Sequence, residues 1–161
     1  MLQDGTLAKG SGDNTIRRWD TTKSIPNKTL SGLTSYVRCL AVLQDVTLAN
    51  GHEENTISRW DRTKSIPTET LKWLTSYVRC IAVLQDGTLA SGSGDNTIRL
   101  WDTTKGISTK TLNGHSSYVR CLAVLQDGTL ASGNEEITIC LWDTTKGKSS
   151  KTLSGHTNHV W

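Results

Sequence analysis

Short runs of alternating apolar and polar residues, broken every few positions by Gly, Asp, Asn or Thr, cover this chain from end to end. A period of two marks a strand with one buried face, and turn residues at the breaks join such strands into hairpins. Thr97-Ile98-Arg99-Leu100-Trp101 alternates in this way. Tyr77 to Val83 and Tyr118 to Val124 are rich in β-formers and end at the hairpin signals Asp86-Gly87 and Asp127-Gly128. Thr88-Leu89-Ala90-Ser91 predicts a further strand, and Thr109 to Leu112 an outer one. The intervening Gly92 to Asn96 and Thr103 to Gly106 have turn chemistry, in which Gly supplies positive φ and Asp or Asn bonds its own backbone. No segment follows the 3.6-residue period of an amphipathic helix.

This four-strand pattern recurs without slippage. Trp19-Asp20, Trp60-Asp61, Trp101-Asp102 and Trp142-Asp143 stand 41 residues apart at each step, as do Val37-Arg38-Cys39, Val78-Arg79-Cys80 and Val119-Arg120-Cys121. Counted from the Leu-Gln-Asp triplets, the repeats run over about 2–42, 43–83, 84–124 and 125–161. A fixed period of this size marks a stacked array. A four-stranded sheet of 41 residues cannot bury both its faces alone, and stacking sheets face to face around an axis solves that problem. The expected fold is therefore all-β, a propeller-like single domain over 1–161.

Gly114-His115 followed by Ser132 and Trp142-Asp143 resembles the WD-repeat family of β-propellers, and with the shared period the likeness covers essentially the whole chain. The resemblance implies four four-stranded antiparallel blades, the first and last incomplete, and a non-catalytic scaffold for protein partners. It also implies a buried network in each blade, linking a His before the innermost strand, a Ser or Thr on the second, an acid in the next turn and the strand-three Trp. The best-matched set is His115, Ser132, Glu136 and Trp142, with Glu where Asp is usual. Ser91, Asp95 and Trp101 form a second set, with Leu74 at the His position. Around Trp60 the positions hold Leu33, Asn50 and Glu54, and around Trp19 they hold Lys9 and Asp13. His156 repeats His115 one period on. No blade matches in full, so the N-terminal half is expected to be the looser.

The ends of the sequence suggest how the ring closes. Met1-Leu2-Gln3 lies inside a hairpin between first and second strands, and His159-Val160-Trp161 opens another first strand. Three expectations follow: a fragment of a longer protein, which is favoured; a homodimer completing an eight-bladed ring; or four blades squeezed shut.

Composition narrows the function. A net charge of +3 is too small to argue for nucleic acid or an anionic membrane. No apolar run approaches the roughly 18 residues of a membrane helix, and no signal-like stretch opens the chain, which favours the cytoplasm. Cys39, Cys80 and Cys121 share one repeat position and Cys140 stands alone, a pattern read as buried free thiols. No metal or cofactor is expected. Arg18 and Arg59 stand where Leu100 and Leu141 precede their tryptophans. A guanidinium between sheets is costly unless paired or able to reach outward. Relaxed packing at an edge or in a decaying repeat is one reading, and an ion pair or ligand contact is the other.

Hydrolase chemistry is not expected. A catalytic triad needs an exposed nucleophile beside an oxyanion hole, whereas the Ser and His here belong to a repeated structural network. Binding is better motivated. By the family resemblance, the start of each first strand lines the mouth of the central channel, placing Tyr36, Arg38, Tyr77, Arg79, Tyr118 and Arg120 there as a partial ring. Tyr and Arg contribute most at interfaces, and Arg grips carboxylate or phosphate with a two-pronged fork. The Val-Arg-Cys motif also resembles that of F-box WD-repeat receptors, whose Arg at this point reads phosphorylated peptides. Three readings stand: a mouth selecting acidic or phosphorylated segments, ordinary solvated strand residues, or a remnant with no independent activity.

Overall fold

A computed structural model describes residues 6–23, 25–45, 47–61, 64–72 and 75–160. Leu74, Met1, Leu2, Gln3 and Trp161, which figure in the sequence reading, lie outside the described residues. The first sheet holds β1 (Leu7–Gly10), β2 (Ile16–Trp19) and β3 (Pro26–Leu30). The second holds β4 (Val37–Val42), β5 (Leu48–His52), β6 (Ile57–Trp60) and β7 (Glu69–Leu71). The third is built from β8 (Val78–Val83), β9 (Leu89–Ser93), β10 (Ile98–Asp102) and β11 (Ile107–Leu112). The fourth is built from β12 (Val119–Val124), β13 (Leu130–Asn134), β14 (Ile139–Asp143) and β15 (Lys148–Leu153). All strands pair antiparallel with their chain neighbours, and the sheets follow one another along an arc that does not close into a ring.

The expected incompleteness of the last blade is corrected. The fourth sheet has all four strands, and only the first is three-stranded among the described residues. The sequence repeat and the sheet are out of frame: each repeat holds strands two to four of one sheet and strand one of the next.

Three apolar layers fill the spaces between the four sheets. One joins Ile16 and Leu30 to Val37, Leu48 and Trp60; the next contains Ile57, Leu71, Val78, Leu89 and Trp101; the third contains Ile98, Leu112, Val119, Leu130 and Trp142. Trp60, Trp101 and Trp142 thus pack on the strands of the preceding sheet. The aspartate after the tryptophan has a separate task, closing the turn to the fourth strand. Asp102 Oδ1 accepts from the Thr104 N–H at 2.9 Å and the Thr104 hydroxyl at 2.6 Å, and Asp143 repeats this with Thr145. Those bonds hold the Asp102 carboxyl down to about 2, the Thr104 hydroxyl first among them.

The joints between sheets share one construction. Val37, Val78, Val119 and Val160 sit over Gly10, Gly51, Gly92 and Gly133 of the sheet before. A methyl group on Gly92 would lie 2.5 Å from Cys80 Sγ and 2.6 Å from Val119 Cγ1. This close approach is why Gly92, expected in a turn, belongs to strand β9. Gln44 and Gln85 add a polar stitch, donating across the joints to the backbone carbonyls of Gln85 and Gln126 at 2.8 and 3.0 Å.

Candidate functional site

Arg38, Arg79 and Arg120 each occupy a break in register between the first and second strands of their sheet. Val78 pairs with Ser93 and Cys80 with Gly92, so Arg79 is the extra residue of a β-bulge; Arg38 and Arg120 repeat the arrangement. A bulge re-aims the side chain it carries. Tyr36, Tyr77 and Tyr118 immediately precede these strands and are all exposed, at 50%, 48% and 42%. Arg79 lies over the Tyr118 ring, 4.9 Å from its centroid, so the predicted residues of neighbouring sheets do meet. The Arg120 guanidinium is held below its ordinary range by burial first, then by the charges of Arg79 and Arg38.

Carboxylates that sequence reasoning passed over sit among them. Arg38 pairs with Glu53 and Arg120 with Glu135. The equivalent position beside Arg79 is Gly94, and among the described residues Arg79 has no carboxylate partner. Positions 12, 53, 94 and 135 read Gly, Glu, Gly, Glu, a signal that was visible on aligning the copies.

The buried networks are built differently in each sheet. In the fourth, Trp142 Nε1–H donates to Ser132 Oγ at 2.7 Å, His115 Nε2 meets the same oxygen at 2.5 Å, and Asn134 Nδ2 donates to His115 Nδ1 at 3.0 Å. Asn134 therefore stands where Glu136 was expected. Glu136 instead accepts from the Ser116 hydroxyl, just as Asp95 accepts from Thr75 and Glu54 from Thr34. Among the described residues, the third sheet keeps only the bond from Trp101 to Ser91, 2.9 Å.

The second sheet was expected to lack a histidine and has one. His52, on β5, bonds through Nε2 to Asn50 Nδ2 at 3.1 Å and Ser58 Oγ at 2.9 Å, while Asn50 Oδ1 accepts from Trp60 at 2.6 Å. The imidazole enters from the strand instead of from the preceding loop. Ser58 and Cys140 are the small residues facing these rings; in the other two sheets the same position holds Arg17 and Arg99, which pair with Asp13 and Asp95 at 2.5 and 3.2 Å. In the first sheet Trp19 is half-buried and, with Lys9 in place of a hydroxyl, makes no indole hydrogen bond among the described residues. His156 is exposed.

Arg59 is an ion pair. It contacts Asp45, reaches Glu69 at 3.5 Å, and crosses to the next sheet to donate to the Thr103 carbonyl at 2.7 Å. Arg18 is buried and bonds Thr6 at 3.3 Å. All four cysteines are free; burial pushes the Cys39 thiol up to about 12 and Cys80 well above the ordinary range, so both are neutral thiols of low reactivity.

The family model described as "WD domain, G-beta repeat" matches residues 66–102 and 106–143. Among solved structures, the WD40 β-propeller domain of Doa1 superposes with a TM-score of 0.87 at 26% identity, over 99% of this chain and 54% of that one. The chain thus spans about half the length of the propeller it matches. No curated protein matches the sequence.

Proposed function

This chain belongs to the WD-repeat β-propellers, and from that premise we propose that it is a non-catalytic, cytoplasmic scaffold whose channel mouth binds acidic or phosphorylated segments of protein partners. The observation that carries the reading is the placement of Arg38, Arg79 and Arg120 on equivalent bulges, each beside an exposed tyrosine. An extended segment laid across the mouth would offer its backbone and apolar groups to the tyrosines and its anionic group to a guanidinium. The Ser–His contact of the fourth sheet is buried and already bonded to Trp142 and Asn134, which supports a fastening role over a catalytic one. Replacing Arg79 and Arg120 with Glu is expected to abolish capture of a fluorescent peptide bearing one phosphoserine among neutral residues, measured by anisotropy. Unchanged capture removes the proposal.

A second reading concerns self-association. On its side away from β2, strand β1 has no partner among the described residues, while Val160 seats on Gly133 and donates its N–H to the Asn134 carbonyl at 3.2 Å, as a first strand begins. Two copies joined head to tail would offer each β1 the start of an inner strand and bring eight blades into one ring.

A further inference from the structure

We propose that the mouth holds one anion-accepting position, centred on Arg79, and that a ligand's carboxylate or phosphate takes the place that Gly94 leaves empty of a glutamate. The inference rests on the channel-mouth reading above and specifies its site. The repeats supply the comparison within one molecule. Glu53 lies on Arg38 and Glu135 on Arg120, so these two arginines already carry the bidentate-competent acid that a ligand would have to displace. Their carboxylates also mark where an acid binds relative to a bulged arginine.

At Gly94 the same place has no side chain. A Cβ built there would meet Ser76 Oγ at 2.9 Å and Arg79 Nε at 3.8 Å, two hydrogen-bond donors. Among the described residues the Arg79 guanidinium is steadied by the Tyr118 ring, not by an acid. Gly94 has no positive φ, and its amide donates to the Tyr77 carbonyl at 3.0 Å, so the loop backbone is fixed, with the Ser76 hydroxyl and the Arg79 guanidinium bordering the place where a side chain would start. One cation without a carboxylate partner among the described residues, between two that have one, fits a segment with a single anionic group. It does not fit a polyacidic run, whose further charges would meet Glu53 and Glu135.

The test uses the full chain and a peptide with one phosphoserine in a Gly-Ala-Ser context, beside its unphosphorylated twin. Gly94→Glu supplies the missing carboxylate and is expected to weaken binding about tenfold or more, whereas Gly94→Gln, of equal size and no charge, keeps most of it. Equal losses from Glu and Gln, or equal binding by Gly94→Glu and the parent, overturn the inference and leave the channel-mouth reading intact. Failure of the parent chain to distinguish the phosphopeptide from its twin overturns both. Should Gly94→Glu not fold, Arg79→Gln carries the test: it is expected to lose binding as Arg38→Gln does not, and equal effects of the two overturn the assignment.

Discussion

Ile137 occupies a backbone conformation made for another residue. Asn14, Asn55 and Asn96, its counterparts in the other copies, all have positive φ, at 63°, 59° and 69°, and Ile137 follows them at 63°. Asparagine tolerates this left-handed region, whereas a β-branched side chain crowds the neighbouring carbonyl at a cost of roughly 1–2 kcal/mol. Ile137→Asn is therefore expected to stabilise the chain by about 1 kcal/mol, seen as a higher denaturant midpoint. The buried Oδ1 of each asparagine counterpart accepts no bond, which holds the gain near the lower end. An unchanged or lower midpoint contradicts the account. At this scale much could be read beforehand: Asp-Gly and Asn marked their turns. Gly92 misled because Gly signals a turn and a tight sheet contact equally well, and only the pairing of β9 with β8 and its packing against Val119 separate the two.

The second and fourth sheets each enclose a hydrogen-bond circuit that requires an uncharged imidazole. His115 Nδ1 accepts from the Asn134 amide, so its proton sits on Nε2. His52 has the opposite tautomer, with Nε2 accepting from Asn50 and Ser58. Protonation would set an N–H against an amide donor in both. Burial lowers the affinity of both rings for the proton; at His52 it outweighs the Ser35 backbone bond and the Glu54 charge, which push upward. A depressed folded value gives stability that is complete above the unfolded value, about 6.5, and is lost as pH falls through the folded one. The denaturant midpoint is thus expected to drop between pH 7 and 5, with a limiting slope of about 1.4 kcal/mol per pH unit for each histidine. Asp13 and Asp102, both held at about 2, lose their contribution only under more acid conditions. A flat profile from pH 7 to 5 rules the circuits out as described. His115, Ser132 and Trp142 were legible because their spacing is a motif. His52 was not, since its ring reaches the same place from a different strand position; Arg38, Arg79 and Arg120 were named beforehand, but the bulges that carry them were not, because a bulge depends on which strands pair.

Across the molecule, the period of 41 residues revealed stacked β-sheets before any coordinate, but not where one sheet ends, because repeat and sheet are out of step. The arc superposes on about half of a propeller domain at a TM-score of 0.87, a curvature too gentle for four sheets to meet. On the head-to-tail reading proposed above, sedimentation of the pure chain gives twice 17.6 kDa, and a well-behaved species of 17.6 kDa removes that pairing. The valine-over-glycine joint has a further consequence. Since every junction presents an identical knob to an identical hollow, unequal crossing-over that adds or drops a copy leaves each new boundary already fitted. The number of blades in such a lineage is free to drift, while the geometry of their contact is inherited unchanged.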